Sequence, residues 1–136
     1  TTNVNGDGSE TRTYPYGRLF SHVVGYTSNG KSGIELFYNF KLLTSNSGLF
    51  ELMYNDLTGN KDKGDNVVTT LNVSVQQAAS SALGGNDGAI IAIDPDTGKI
   101  IAMVSQPDFD PNSIESDWDY IVSQDGNTSL LKQKYL

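Results

Sequence analysis

The sequence predicts an α+β fold, with short antiparallel strands and a β-hairpin packed on one or two helices. Three observations predict it. Two nearly unbroken apolar runs, Ala89–Ile93 and Lys99–Val104, flank the turn-forming stretch Asp94-Pro95-Asp96-Thr97-Gly98. A stripe of apolar residues at helical spacing precedes them. The chain before that stripe is polar and rich in turn residues, and only 37% of the 136 residues are hydrophobic, so the core is expected to be modest.

The helix is expected to start near Asn72 or Ser74, either of which can accept an orphan N–H of the first turn through a short side-chain oxygen. Val75, Ala78, Ala79, Ala82 and Leu83 follow at i, i+3, i+4, i+7 and i+8, the spacing of one narrow helical face. Gly84-Gly85 ends it, because glycine takes the left-handed C-terminal conformation without a Cβ clash. In the hairpin turn Pro95 pre-sets φ, Asp96 can bond nearby backbone, and Gly98 tolerates positive φ. Strands apolar on both faces need cover on both faces. The helix covers one of them, and the other is expected to meet layers outside this chain.

Residues 1–11 are expected to be a frayed terminus or an exposed turn around Asn5-Gly6-Asp7-Gly8. Asp7 and Glu10 miss the alternating carboxylates of a calcium loop, so no metal site is expected there. Arg12–Tyr26 reads as strand-like, opened by Tyr14-Pro15-Tyr16-Gly17. His22 is the single histidine; it is expected to be a packed or surface residue that fixes a strand through a hydrogen bond. Arg12, beside Tyr14 and Tyr16, suits a carboxylate at an interface, whether in a partner or across a domain boundary.

Thr27–Ser32 is a turn centred on Asn29-Gly30. Gly33–Leu43 is expected to be a helix, with Leu36, Phe40 and Leu43 on one face and its aromatics in the core. Leu49–Tyr54 is a short helix or strand. Residues 56–65 form a charged turn, and the composition changes near Gly64-Asp65, the best domain boundary. Val67–Leu71 alternates like a short lead-in strand. After Asn112, Ile114, Trp118, Ile121 and Val122 recur near helical spacing, with Trp118 as a packing anchor.

The net charge of −7 argues against nucleic acid as a partner, since phosphates would be repelled. The chain has no cysteine, and so no disulfide or thiolate chemistry. No apolar run approaches the ~20 residues of a membrane span. With neither initiator methionine nor signal peptide, the chain is expected to be an excised piece of a longer protein.

Residues 88–112, reading GAIIAIDPDTGKIIAMVSQPDFDPN after a helix, resemble the opening of the transpeptidase domain of class B penicillin-binding proteins. Arg12–Tyr26 and Gly33-Ile34-Glu35 resemble the segment that precedes that domain, in the same order, and the likeness extends over roughly residues 12–131. It implies that residues 1–65 are the end of a pedestal (dimerisation) module and that residues 66–136 are the first helix and hairpin of a transpeptidase-like domain. In that family the Gly-Ile-Glu segment is helical. The resemblance also implies a D,D-transpeptidase parent that cross-links peptidoglycan through a serine acyl-enzyme. It implies a membrane anchor upstream, an extracytoplasmic location, and a membrane glycosyltransferase as a docking partner.

The catalytic motifs of such enzymes are not credibly present. They are Ser-x-x-Lys on a helix, Ser-x-Asn on a loop and Lys-Thr/Ser-Gly on a strand. Ser28–Lys31 and Lys31-Ser32-Gly33 match literally but share Lys31 within one turn, and one lysine cannot serve two walls of a pocket. Ser129–Lys132 also matches; the family's nucleophile motif lies further on, and Lys132–Leu136 departs from the family pattern. No Ser-x-Asn occurs. Asp94, Asp96, Asp108 and Asp110 sit in turns, where carboxylates stay solvated rather than raised in pKa for acid–base work.

No catalytic, cofactor-binding or metal residue is therefore assigned. Arg12, Tyr14, Tyr16, His22 and Glu35 stand as interface candidates. The expected partners are the remainder of the transpeptidase domain, a glycosyltransferase and, as one way to cover the apolar hairpin, a second copy of the protein. A stand-alone scaffold module of wall assembly is the alternative.

Overall fold

The structure is a computed structural model that describes residues 1–39 and 66–123. The expectations for Phe40 to Leu43, Leu49–Tyr54, the charged turn at 56–65, the boundary at Gly64-Asp65 and residues 124–136 lie outside them.

The chain opens with an antiparallel pair, β1 (Thr2–Val4) and β2 (Glu10–Arg12), in the register Thr2↔Arg12 and Val4↔Glu10. The expected turn lies between them. Side-chain hydrogen bonds hold it: Asp7 Oδ1 accepts from the Ser9 N–H at 2.9 Å and from Ser9 Oγ at 2.6 Å.

The strand expected through Tyr26 ends at Arg12. A 3-10 turn (Gly17–Phe20) runs directly into α1 (Ser21–Val24). Leu19, Phe20, Val23 and Val24 are spaced i, i+1, i+4 and i+5, a helical period hidden inside a β-prone composition. Pro15 also removes a ladder donor, and Gly17 turns the chain at φ +48°.

The turn at Asn29-Gly30 forms as expected, with Asn29 at φ +56°. It leads to α2 (Gly33–Phe37). Two glycines make the joint between α1 and α2. A Cβ on Gly25 would lie 2.0 Å from the Ser32 carbonyl oxygen, and one on Gly33 would lie 2.5 Å from that of Val23. Both have positive φ, so only glycine fits either position. Phe37 is exposed rather than in the core, because Glu35 takes the buried face of α2.

Val67–Leu71 forms no ladder, and Val68 stands in solvent. At its end Thr70 Oγ1 donates to the Ile100 carbonyl at 2.6 Å, and the following Asn72 N–H donates to that of Ile101 at 2.8 Å.

Helix α3 (Val73–Leu83) is capped by Asn72, whose Oδ1 accepts from the Val75 N–H at 3.1 Å, and ends on left-handed Gly84. Its buried face keeps Ala79 and Leu83 of the expected stripe and loses the rest. Gln76 and Ala79 are buried and Leu83 half-buried, whereas Val75, Ala78 and Ala82 are exposed. The inner face is therefore rotated toward Gln76, which finds backbone hydrogen-bond partners there.

The hairpin comprises β3 (Gly88–Ile93) and β4 (Ile100–Gln106), antiparallel with Ala92↔Ala102 and a register shift beside Ile93. Asp94, not Asp96, organises its turn: Oδ1 accepts from the Asp96 N–H at 3.0 Å and Oδ2 from Thr97 Oγ1 at 2.7 Å. These bonds, the Thr97 hydroxyl foremost, hold the Asp94 carboxyl below its usual pKa. One hairpin face, Ile90, Ala92, Ala102 and Val104, packs on Ala79 and Leu83 of α3. On the other face Ile91 and Ile93 remain 47% and 55% exposed.

Helix α4 (Ile114–Ser123) buries Ile114 and Ile121 and leans Trp118 on the same cluster. Val122 is exposed rather than on that face. The fold is α+β, with two antiparallel strand pairs and short helices among the described residues.

Candidate interface between the N-terminal segment and the hairpin exit

Residues 12–26 and 105–121 meet along a continuous seam, built from the exit of β4, the 3-10 turn, α1 and α4. At one end Asn112 binds both polar groups of the Tyr14 backbone. The Tyr14 N–H donates to Asn112 Oδ1 at 2.8 Å, and Asn112 Nδ2 donates to the Tyr14 carbonyl at 3.0 Å. Asp110 Oδ1 orients Asn112 by accepting from its N–H at 2.9 Å and its Nδ2 at 3.0 Å. Arg18 Nε donates to Asp108 Oδ1 at 2.8 Å, and its Nη2 to the Asp108 carbonyl at 3.0 Å.

His22 lies in the middle. Its ring is buried, stands edge-on to Phe109 at 5.2 Å, and has Nε2 2.8 Å from the Pro107 carbonyl oxygen. A carbonyl can only accept, so Nε2 carries the proton. Burial lowers the His22 pKa below its ordinary 6.5, against smaller opposing effects of the Pro107 carbonyl and Asp108. Behind the seam, Tyr26, Phe109, Ile114 and Ile121 form a cluster. Tyr26 meets Phe109 edge-on at 5.8 Å and Trp118 at 6.2 Å.

Gln76 ties α3 to both sides. Its side chain is 0% exposed. Nε2 donates to the carbonyls of Leu19 at 2.9 Å and Met103 at 2.8 Å, and Oε1 accepts from the Met103 N–H at 2.8 Å. The amide thus acts as one residue of strand against the outer edge of β4. This is why α3 turns Gln76 inward: the Met103 groups need partners once buried.

Each interface candidate has a definite place. Arg12 Nε and Nη2 converge on one oxygen, Glu35 Oε1, at 2.7 and 2.6 Å, and Nη1 donates to Thr2 Oγ1 at 2.9 Å. Glu35 is buried, so this pair fixes α2 against the end of β2. Tyr14 is buried, with its hydroxyl 3.4 Å from Thr27 Oγ1. Tyr16 is exposed and edge-on to Phe20 at 5.5 Å. Tyr14 and His22 meet the hairpin exit, Arg12 and Glu35 meet each other, and Tyr16 joins neither group.

Sequence reasoning missed Asn112, Arg18 and Gln76. Two of them left only a positional trace: Gln76, Ala79, Ser80 and Leu83 also recur at i, i+3, i+4 and i+7, and Asn112 ends a Pro-bracketed loop.

The arrangement holds segments together. Ser28 lies in a turn rather than on a helix, and Lys31 donates from Nζ to Asn39 Oδ1. Ser129–Lys132 lies outside the described residues. Among the described residues no group of three His, Cys, Asp or Glu side chains could hold a metal ion, and no helix is long and apolar enough to cross a membrane.

The penicillin binding protein A dimerisation domain matches residues 1–67. Peptidoglycan D,D-transpeptidase PbpA of Mycolicibacterium smegmatis is 40% identical over 109 residues, covering 74% of this chain and 22% of the relative. Peptidoglycan D,D-transpeptidase MrdA of Acinetobacter baumannii is 37% identical over 131 residues, 75% of this chain and 19% of the relative. This protein therefore spans about a fifth of the length of those two relatives. The solved D,D-transpeptidase domain of a peptidoglycan glycosyltransferase from Eggerthella lenta aligns with a TM-score of 0.77 at 36% identity, over 97% of this chain and 28% of that one. With the α+β architecture, these likenesses bear out the resemblance read from residues 12–26 and 88–112: the chain belongs to the class B penicillin-binding proteins and carries their N-terminal dimerisation module.

Proposed function

We propose that this protein serves peptidoglycan synthesis as the non-catalytic N-terminal portion of a penicillin-binding protein. It positions a D,D-transpeptidase domain and docks its partners. The seam from Tyr14–Asn112 to His22–Pro107 carries this reading. It fastens the N-terminal segment to the hairpin by bonds between side chains and backbone that span 85 to 98 residues of sequence. A module so fastened sets the orientation of whatever is built on the hairpin.

In this reading residues 1–65 are the end of the pedestal and residues 66–136 the start of the transpeptidase layer, with Tyr26 of the first packed in one cluster with Phe109, Ile114 and Ile121 of the second. The uncovered hairpin face at Ile91 and Ile93 receives the remainder of that domain. The catalytic serine and lysine come from that remainder, since Ser28 and Lys31 share a turn and Lys31 is engaged with Asn39. The pedestal stands on the extracytoplasmic face of the membrane, where it can meet a glycosyltransferase or a second copy.

Sequencing the gene around the 136 codons tests the reading. A Ser-x-x-Lys shortly downstream, followed by Ser-x-Asn and Lys-Thr/Ser-Gly, is the expected result. A stop codon directly after Leu136 would overturn it in favour of a scaffold module. Covalent labelling of the purified protein by a fluorescent penicillin would contradict its non-catalytic role.

A further inference from the structure

We propose that Asn29 is a site of spontaneous deamidation and isoaspartate formation, and that Asn5, also followed by glycine, is protected by the fold. These are the two Asn-Gly pairs of the sequence. A following glycine leaves its nitrogen unobstructed, so local sequence gives both the same chemistry. The structure separates them.

Asn29 is exposed at φ +56°, and Gly30 follows at φ +119° with nothing within 4 Å of where a Cβ would sit. Among the described residues no hydrogen bond holds the Asn29 amide or the Gly30 N–H. Asn5 is exposed too and Gly6 is as open as Gly30, but the Asn5 side chain and backbone are both held. Its Nδ2 donates to Ser9 Oγ at 2.9 Å and Thr11 Oγ1 at 3.0 Å. Its N–H donates to the Ser9 carbonyl at 2.8 Å, and its carbonyl accepts from the Gly8 N–H at 3.0 Å.

The reaction needs only water and hydroxide. Hydroxide removes the Gly30 amide proton, and the nitrogen attacks Cγ of Asn29. The Cγ–Nδ2 bond breaks and ammonia leaves with a proton from water, giving a five-membered imide. Water then opens the imide. Breaking the new Cγ–N bond gives aspartate. Breaking the original backbone C–N bond gives isoaspartate, whose backbone runs through Cβ and Cγ. One negative charge is gained and nothing is oxidised. For Asn5 the amide must first leave two hydrogen bonds, which slows the same step roughly tenfold.

The consequence falls on the glycine joint. The loop from Tyr26 to Ser32 is closed by the Ser32 N–H donating to the Tyr26 carbonyl at 3.2 Å. An extra backbone atom in that loop disturbs the contact of Gly25 with Ser32, and with it the placement of α2 and Glu35.

The test holds the folded protein at mildly alkaline pH and body temperature, then maps peptides by mass spectrometry with isoaspartate detection. Asn29 should convert about tenfold faster than Asn5, and the two rates should converge in urea. In the Ser9→Ala, Thr11→Ala double variant, Asn5 should accelerate toward the Asn29 rate. No conversion at Asn29, equal rates in the folded protein, or no acceleration of Asn5 in the variant would overturn the proposal.

Discussion

Asn112 grips the backbone of Tyr14 across 98 residues of sequence, offering its carbonyl to the Tyr14 N–H and its amide to the Tyr14 carbonyl. A strand neighbour would satisfy a residue in the same way. One side chain thus replaces a ladder rung at the point where the first strand pair ends and the hairpin exit passes by. Asn112→Ala should cost about 1–2 kcal/mol, the loss of two partly exposed hydrogen bonds. Asn112→Asp should also destabilise, because it retains the acceptor but sets a carboxylate oxygen against the Tyr14 carbonyl. Urea denaturation of the two variants beside the parent measures both.

The Arg12–Glu35 pair is asymmetric in burial: the side chains are 29% and 6% exposed. Removing Arg12 strands a buried carboxylate, whereas removing Glu35 leaves a cation that reaches water. Arg12→Ala should therefore destabilise more than Glu35→Ala, by about 1–2 kcal/mol. The double variant should recover part of the Arg12→Ala loss. A double-mutant cycle on thermal or urea unfolding reads the coupling; additive losses would show that the two side chains act independently.

Gln76 supplies the partners of the Met103 backbone. Gln76→Leu keeps the volume and loses all three bonds, leaving buried groups of Met103 and Leu19 unpaired, at about 3 kcal/mol. Gln76→Glu should be no better, since an acceptor-only carboxylate would face two carbonyl oxygens. Amide exchange at Met103 should quicken in Gln76→Leu, which removes the acceptor of its N–H. An unchanged Met103 rate would show that the edge of β4 is protected by something else.

Burial makes His22 a source of pH-dependent stability. Its pKa in the folded protein lies below the ordinary 6.5. Well above 6.5 both states are neutral and stability is full. As pH falls through 6.5 the unfolded state takes up its proton first, so stability declines until the folded-state pKa is passed. Thermal midpoints should drop between mildly alkaline and mildly acidic pH in the parent, and more shallowly in His22→Gln. Parallel slopes would mean that groups other than His22 set the pH response.

Several elements were legible in the sequence because their causes are local. Asn72 as a cap, Gly84 as a terminator, the Asp-Pro-Asp-Thr-Gly turn and the two apolar runs each depend on residues a few positions apart. The family likeness was legible for the same reason: it lies in contiguous stretches, Arg12–Tyr26 and Gly88–Asn112. The helical stretch at 17–24 could have been found as well, since Leu19, Phe20, Val23 and Val24 carry the helical period. Aromatic and β-branched composition concealed it, and such propensity yields to tertiary context.

Asn112, Arg18 and Gln76 were not legible as fastenings, because each gains its meaning from a backbone group brought close by folding. Which face of α3 turns inward illustrates the difference. Counting apolar residues selects Val75, Ala78, Ala79, Ala82 and Leu83, but the helix turns Gln76 inward beside Ala79 and Leu83 because the unpaired edge of β4 is there. Neighbouring residues were enough to define most elements, their turns and the family. The identity of the buried polar side chains belongs to the assembled fold, because a buried N–H or carbonyl must find a partner and that partner is chosen in space.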